Sequence, residues 1–136
     1  MQLDKSFAIA FSGMNAQSER LKVIAENLAN ADSTAQTPDA DPYKRKIITF
    51  ESVLDRQLGA DRVKVAGVKT IEDGIGRRYE PGHPAADAAG YVKTPNVNTI
   101  TEMMDMREAQ RSYDANLNVI DAAKSMLSRT IELLRG

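Results

Sequence analysis

The single histidine is the first residue to consider for chemistry. His83 lies in the segment Pro81, Gly82, His83 and Pro84, and Asp87 follows four residues later. An imidazole that catalyses or binds a metal needs converging partners such as further histidines or carboxylates. Because His83 is the only histidine of the chain and lies in a loop rich in proline and glycine, we interpret the segment as a shaped loop in which the histidine packs or hydrogen-bonds locally. We predict that the chain has no catalytic site and is not an enzyme.

Two further patterns resemble ligand sites and fail on spacing. Asp39 and Asp41 resemble the start of a calcium loop, but the twelfth position is Phe50, where such a loop needs a bidentate carboxylate. Gly74-Ile75-Gly76 resembles a phosphate-binding turn until its third glycine position, which is Tyr79. The absence of cysteine excludes thiolate ligands, thiol nucleophiles and disulfides. We predict no metal and no cofactor.

A basic cluster, Lys44-Arg45-Lys46, follows Tyr43 in a segment with strand character. Adjacent side chains of a strand point to opposite faces, so the cluster does not form one phosphate-binding patch. We interpret it as a solvated strand edge that discourages aggregation. The formal net charge is −1, from 18 basic and 19 acidic residues. This balance predicts no nucleic-acid partner and no electrostatic attraction to a membrane surface.

The elements that position these residues are set by the two chain ends, which share a seven-residue repeat. The seam of the predicted N-terminal helix consists of Leu3, Phe7, Ala10, Met14, Gln17, Leu21, Ile24 and Leu28. The seam of the predicted C-terminal helix consists of Met103, Met106, Gln110, Tyr113, Leu117, Ile120, Lys124, Leu127, Ile131 and Leu134. Alternating spacings of three and four are typical of helices that interlock side by side. Both ends are therefore predicted to need helical partners.

Each predicted helix also carries a second apolar line of residues spaced seven apart. These lines consist of Ile9, Ala16 and Val23 at the N-terminal end and of Val119, Met126 and Leu133 at the C-terminal end. At about 100° per residue, each line lies on a different side of its helix from the seam. Two interpretations remain open: the middle of the chain covers these lines, or other copies and related chains cover them on assembly. We predict the second, with an assembly interface formed by the apolar seam residues and both lines, and with termini that order during assembly.

The predicted fold class is α+β. Residues 1–31 and 99–136 are predicted to form a helical coiled-coil domain, and residues 32–98 a β-rich inserted module. Within the module we predict strands at 43–50, 62–71 and 77–79, with the valines of the second facing the module's core. Residues 52–58 fit either a short helix or an extended piece. Thr99 and Glu102 have the spacing of a capping box at the start of the last helix.

The chain shows no ordinary secretion or membrane signal. The apolar run at residues 7–11 is shorter than a secretory core of about 7 to 15 residues, and it belongs to the N-terminal seam. No segment approaches the ~20 apolar residues that span a bilayer, so we predict no membrane insertion. A role outside the cytoplasm would require export by a route other than a cleaved signal peptide.

Several motifs resemble those of bacterial flagellar rod and hook proteins. Residues 12–17 (SGMNAQ) and 24–30 (IAENLAN) are similar to the N-terminal signature of that family. Residues 79–87 (YEPGHPAAD), 90–92 (GYV) and 95–98 (PNVN), with the run from 102 to 126, resemble the narrower signature of proximal rod proteins. The resemblance covers nearly the whole chain, although the acidic, glycine-free loop at 31–41 departs from the turn found in many relatives.

The resemblance implies a structural subunit of the flagellar basal-body proximal rod, which polymerises into the drive shaft that transmits motor torque to the hook. It implies terminal helices in an inner coiled-coil tube and a β-rich module facing outward. The implied partners are copies of the chain, other proximal and distal rod subunits, the rod-to-MS-ring adaptor and the flagellar type III export apparatus. The implied location is the periplasm-spanning rod, reached without a cleaved signal peptide. Alternatives are another axial rod subunit, a cytoplasmic helical-hairpin adaptor or chaperone, and an enzyme.

Overall fold

The computed structural model describes residues 2–136 and confirms the α+β class. Two long helices enclose four strands in the chain order. The elements are α1 (Gln2–Ala29), β1 (Lys46–Asp55), β2 (Ala60–Thr70), β3 (Gly76–Tyr79), β4 (Tyr91–Thr94) and α2 (Thr99–Arg135). The two predicted terminal helices with a β-containing region between them are confirmed.

Helix α2 begins with a different cap from the predicted one. Asn98 is the N-cap residue, because its Oδ1 accepts hydrogen bonds from the backbone N–H groups of Ile100 at 3.0 Å and Thr101 at 3.2 Å. The predicted capping box of Thr99 and Glu102 is therefore wrong. The Glu102 carboxylate lies away from the helix start and takes part in a buried network described below.

The first sheet is a hairpin of β1 and β2. β1 begins three residues later than predicted and continues to Asp55, so most of the ambiguous segment 52–58 is extended. Asp55 organises the turn, since its Oδ1 accepts the N–H groups of Gln57 at 3.0 Å and Leu58 at 3.3 Å. Gly59 closes the turn with a positive φ of 64° and donates its N–H to the Asp55 carbonyl at 2.8 Å.

The second sheet pairs β3 with β4 in antiparallel register. The predicted strand at 77–79 is confirmed, but its partner β4 was not predicted. The loop between them holds the predicted Pro-Gly-His-Pro segment and is organised by turns, in which His83 N–H donates to the Glu80 carbonyl and Ala86 N–H to the His83 carbonyl, each at 3.0 Å. Val92 of β4 is fully buried.

The prediction that the valines of β2 face a module core is wrong for Val63 and Val68, while Val65 is half-buried and lines a groove. Val63 and Val68 are 38% and 54% exposed. A sheet of only two strands has no second layer to cover it, and Val63 instead borders an open groove beside α1. Fully buried apolar surface in the inserted region comes from Val92 and Ala85.

The chain divides into two compact units. The first contains the described residues up to Leu21 with Thr49–Gly67 and Arg107–Gly136. The second contains Lys22–Ile48 and Val68–Met106. The buried apolar residues of the first unit are Ala10, Ala16, Ala109, Ile120 and Ala123, and those of the second are Val23, Ile24, Ala85 and Val92. The predicted division into terminal helices and an inserted module stays a prediction.

Candidate assembly surfaces

Within the first unit, the two helices bury small residues. Ala109 and Ala123 of α2 are buried, as are Ala10 and Gly13 of α1. The approach at Gly13 is close, because a Cβ atom there would lie 2.8 Å from Nδ2 of Asn116. Side chains of this size let two helix backbones come together, and glycine permits the closest contact.

Some of the covered positions of α2 lie one residue before the predicted seam positions. Met106, Tyr113 and Ile120 lie on the covered side as predicted, half-buried or buried. The predicted seam residues that are exposed instead, by 39% to 84%, are Met103, Leu117, Leu127, Ile131 and Leu134. The positions just before four exposed seam positions are better covered: Glu102, Ala109 and Ala123 are buried, and Asn116 is half-buried. Two of these residues are small alanines and two are polar, whereas the prediction ranked positions by large apolar side chains.

The other predicted interface residues differ between the chain ends. In α1, Ala10, Val23 and Ile24 are buried and Ile9 is exposed. The remaining α1 seam residues are half-buried, and they are Leu3, Phe7, Met14, Leu21 and Leu28. In α2, the whole second line is exposed, and it consists of Val119, Met126 and Leu133. The second line of α1 is therefore largely covered, and that of α2 is open.

The last part of α2 has no buried residue. Every position from 124 to 136 is exposed although the helix continues to Arg135. Five of the exposed residues are large and apolar: Met126, Leu127, Ile131, Leu133 and Leu134. We call residues 124–135 the bare end of α2. Its side chains form an apolar surface that the described residues do not cover.

A buried polar network holds the second unit together. Glu102 is 0% exposed, and its carboxylate accepts hydrogen bonds from Asn27 Nδ2 at 3.2 Å and from Arg45 Nε. Asn27 binds both backbone groups of Lys46, donating to its carbonyl at 2.8 Å and accepting its N–H at 3.0 Å. Tyr43 adds a hydroxyl hydrogen bond of 2.8 Å to Asn27 Oδ1. A buried carboxylate is stable only when it is paired in this way.

The three basic residues at 44–46 bind three different sets of acids. Lys44 pairs with Asp41 and Glu72, Arg45 with Glu102 and Asp105, and Lys46 with Glu26. The prediction that they do not form one patch is confirmed. The prediction of a solvated edge is wrong for Arg45, because it neutralises the buried carboxylate.

Two pKa shifts follow from this network. Burial raises the pKa of Tyr43, and the nearby Glu26 carboxylate raises it further. The hydrogen bond to Glu26 raises the pKa of Lys46. Both groups therefore keep their protons at neutral pH, and the hydroxyl of Tyr43 remains a donor to Asn27.

Asn96 is a second amide that organises the second unit. Its Oδ1 accepts the Arg45 N–H at 2.6 Å, and its Nδ2 donates to the carbonyls of Ile71 at 2.7 Å and Asp73 at 2.8 Å. The apolar repeats did not identify Asn27, Asn96 or Glu102, because such repeats score only hydrophobic positions. The available signal was the placement of asparagines at the helix boundaries, where side chains satisfy free backbone groups.

His83 has the local role that the sequence predicted. Its Nδ1 accepts the Ala85 N–H at 3.0 Å, and its Nε2 lies 3.1 Å from Thr34 Oγ1. An accepting Nδ1 leaves Nε2 as the donor in the neutral ring. Among residues 2–136, no group of three or more histidine and acidic side chains is arranged to hold a metal ion.

An open groove of about 530 Å³ lies within the first unit, between α1 and the hairpin. Ser12 connects its two walls, donating to the Ile9 carbonyl at 2.7 Å and accepting the Val63 N–H at 3.2 Å. On the rim, Asp55 forms an ion pair with Arg62 at 2.9 Å, which holds the pKa of the carboxyl below its usual range. Three polar residues that line the groove, Ser12, Asp55 and Arg62, thus support the hairpin.

Neither helix within residues 2–136 has the combination of length and apolarity needed to cross a membrane. The exposed apolar surface of α2 is interrupted by charged residues such as Lys124, Arg129 and Glu132. The exposed face of this helix is therefore of mixed apolar and charged character.

Two family models of flagellar rod proteins match segments of this chain. Residues 7–35 match the family model described as flagella basal body rod protein. Residues 88–133 match the model described as the C-terminal region of flagellar basal body rod FlgEFG protein. Both chain ends thus carry the marks of flagellar rod proteins, and the matched ranges contain most of α1 and α2.

Relatives that match over nearly the whole chain identify the family within the flagellar rod proteins. The chain is 51% identical over 134 residues to the flagellar basal-body rod protein FlgC of Agrobacterium fabrum, covering 98% of this chain and 96% of that protein. It is 45% identical over 133 residues to FlgC of Escherichia coli O6:H1, covering 98% of each, and 37% identical over 154 residues to FlgC of Borreliella burgdorferi, covering 100% of each. The chain belongs to the FlgC family of flagellar basal-body rod proteins.

Proposed function

We propose that this chain is a structural subunit of the proximal part of the flagellar rod. In this role it polymerises with copies of itself and with related rod proteins into the shaft that transmits motor torque to the hook. The names of its relatives support the rod and the basal body as its place of action. The role is mechanical rather than catalytic.

The observation that carries this proposal is the bare end of α2. The helix buries Ala109 and Ala123 within the chain while Leu127, Ile131 and Leu134 remain exposed. Burying a large aliphatic side chain contributes about 1.5 to 3 kcal/mol, so such a surface favours association with further helices. Interlocked helices packed on several sides resist deformation, which a torque-bearing shaft requires.

The proposed neighbours follow from the same surface. Copies of this chain and the other proximal and distal rod subunits cover the bare end, and the rod-to-MS-ring adaptor contacts the rod at its base. The flagellar type III apparatus exports the chain without cleaving a signal peptide. A marginal, largely unburied helix end suits this route, because little free energy is needed to unfold it.

Replacement of Leu127 tests the proposal. Leu127→Asp places a charge in the bare end without disturbing any buried residue, so expression and the fold of the monomer should persist. We expect rod assembly and swimming to be lost when the variant replaces the native chain in cells. Occupancy is measured by immunoblotting of purified basal bodies, and motility by spreading in soft agar.

Ser128→Asp is the matched control, since Ser128 is polar, exposed and adjacent in the same helix. We expect it to assemble and to support swimming. Full basal-body occupancy and normal swimming of the Leu127→Asp variant would contradict the proposal, as would equal loss with the control.

A further inference from the structure

One segment of β1 is uncovered on both faces. All six residues at 49–54 are exposed, including Phe50, Val53 and Leu54 at 37%, 40% and 60%. We call residues 49–54 the open strand segment. Glu51 lies within it and forms no ion pair with any residue in the described range 2–136. A two-stranded sheet is only marginally stable alone, so additional cover of this segment would stabilise it.

The β3–β4 ribbon presents a surface of complementary character. The register pairs Arg77 with Lys93 and Tyr79 with Tyr91. Directly opposed residues, and residues two apart on one strand, share a face. These four side chains therefore lie on one face, which we call the tyrosine–cation face.

The two tyrosines form a fixed aromatic platform. Their ring centroids are 5.3 Å apart in an edge-to-face arrangement, and the residues Tyr79 and Tyr91 are 65% and 43% exposed. Gly90 lies close to the Tyr79 ring. It has a positive φ of 87°, and a Cβ atom there would lie 2.9 Å from the ring. The ring thus occupies space that only glycine leaves free.

The cations on this face lack strong partners. Two positive side chains opposite each other are mutually unfavourable. Lys93 reaches Asp41 only at 3.7 Å, and Arg77 forms no ion pair or side-chain hydrogen bond with another residue of the described range 2–136. A carboxylate placed between the two cations would accept charge-assisted hydrogen bonds from both.

The nearby acids bind mainly Lys44 or backbone N–H groups, and only Asp41 also approaches a cation of this face, Lys93 at 3.7 Å. Asp41 and Glu72 both pair with Lys44. Asp87 accepts backbone N–H groups from Ala89 and Tyr91, each at 2.9 Å. None of these carboxylates satisfies Arg77, so the face has room for an anionic group from another molecule.

The open strand segment matches this face in charge and in spacing. Glu51 and Val53 are two residues apart on a strand, about 7 Å, and the cation pair and the tyrosine pair are separated by the same strand interval. We propose that the open strand segment of one copy docks on the tyrosine–cation face of a second copy. Glu51 then lies between Arg77 and Lys93, and Val53 packs on Tyr79 and Tyr91.

This inference rests on the proposed function, because it names a contact between neighbouring copies of a polymerising subunit. A charge exchange between two purified variants tests it. One variant carries Arg77→Glu and Lys93→Glu, and the other carries Glu51→Lys. Each variant alone sets like charges against each other, whereas both possible contacts between the two variants pair opposite charges.

We expect the wild-type chain to self-associate in sedimentation velocity, each variant alone to associate at least tenfold more weakly, and the equimolar mixture to recover most of the association. The control variant for Glu51→Lys is Asp61→Lys. It makes an equal charge change at an exposed residue of β2 outside the open strand segment. We expect Asp61→Lys to self-associate like wild type. Circular dichroism checks that all variants are folded.

Three results would overturn the inference. A wild-type chain that stays monomeric at about 1 mM assigns this face to a different molecule. If the face variant loses association but Glu51→Lys does not, the tyrosine–cation face binds another part of a second copy. Failure of the mixture to recover shows that the two surfaces do not meet. Because Leu127→Asp tests rod assembly in cells independently, failure of this contact is distinguishable from failure of the proposed function.

Discussion

Helix α2 buries a polar side chain in the second unit and exposes large apolar side chains in the first unit. In the second unit, the buried position is a carboxylate, Glu102, whose charge is neutralised by Arg45 and hydrogen-bonded by Asn27. In the first unit, the bare end exposes Leu127 and Leu133 with no cover. A polar side chain is thus enclosed while large apolar side chains face outward.

This contrast indicates two different purposes along one helix. The network around Glu102 fixes the conformation of the monomer, because a buried ion pair and its amide partner tolerate only one arrangement. Under the proposed function, the bare end contributes to stability when another chain covers it. A subunit that must fold alone and also bind neighbouring subunits needs a buried polar network and an exposed apolar surface in separate places.

The largest effect on the monomer is expected from Glu102→Ala. Removing the carboxylate leaves Asn27 and the half-buried Arg45 without their buried partner, so we expect the free energy of unfolding to fall by about 3 kcal/mol. Urea denaturation of the purified chain measures it. Glu108→Ala is the control, because Glu108 is 67% exposed and meets Arg20 only at 3.5 Å. Its loss should be below about 1 kcal/mol, and equal losses would show that the network does not fix the fold.

A smaller effect is expected at the close helix approach in the first unit. In Gly13→Ala, overpacking against Asn116 costs about 1 to 3 kcal/mol, which exceeds the helix-propensity gain of about 1 kcal/mol. We expect a net loss of about 1 kcal/mol. In the Asn116→Ala background the clash is absent, so the same substitution should stabilise. Additive effects in the double variant would show that the two positions do not touch.

A weaker, pH-dependent effect is expected at the hairpin turn. Arg62 lowers the pKa of Asp55 in the folded chain below its ordinary value of 3.8. The ion pair therefore stabilises the turn fully above that value and less as the pH falls through the lowered pKa. Hydrogen exchange at the Leu58 amide, corrected for its intrinsic rate, should accelerate severalfold in acid. Asp55→Asn should remove the pH dependence, and its persistence in that variant would exclude Asp55 as the source.

The smallest effect on the monomer is expected from Leu127→Asp. The side chain is 42% exposed in a segment without buried neighbours, so the change in the free energy of unfolding should stay within about 0.5 kcal/mol. The same urea measurement applies, with Ser128→Asp beside it. A loss comparable to that of Glu102→Ala would mean that the bare end is already packed in the isolated chain.

The sequence predicted the two helices because their seven-residue repeats extend over many turns, and long periodic segments are the clearest local signal. That the seam of α2 forms an assembly interface stays a prediction. Leu117 and Met103 satisfy the apolar repeat, but the contact within the chain is made by Ala109 and Asn116, whose small size permits close approach. Apolarity alone does not distinguish burial within a chain from burial between chains.

The polar features were harder to predict for a different reason. Asn98 caps α2 and Asn27 binds Lys46, yet both depend on partners brought together by the fold. Strand β4 is short and pairs with β3 across a loop of eleven residues, 80–90, so no local pattern specifies it. Hydrogen bonds between distant segments are a property of the tertiary structure, and one sequence gives no direct signal for them.

The most direct test of the central claim is amide hydrogen exchange along α2 in a dilute monomer and in purified basal bodies. If the bare end is completed by neighbouring subunits, residues 124–135 should exchange rapidly in the monomer while the backbone near Glu102 is protected, and both should be protected in the rod. Protection of residues 124–135 in the dilute monomer as strong as that near Glu102 would contradict the claim.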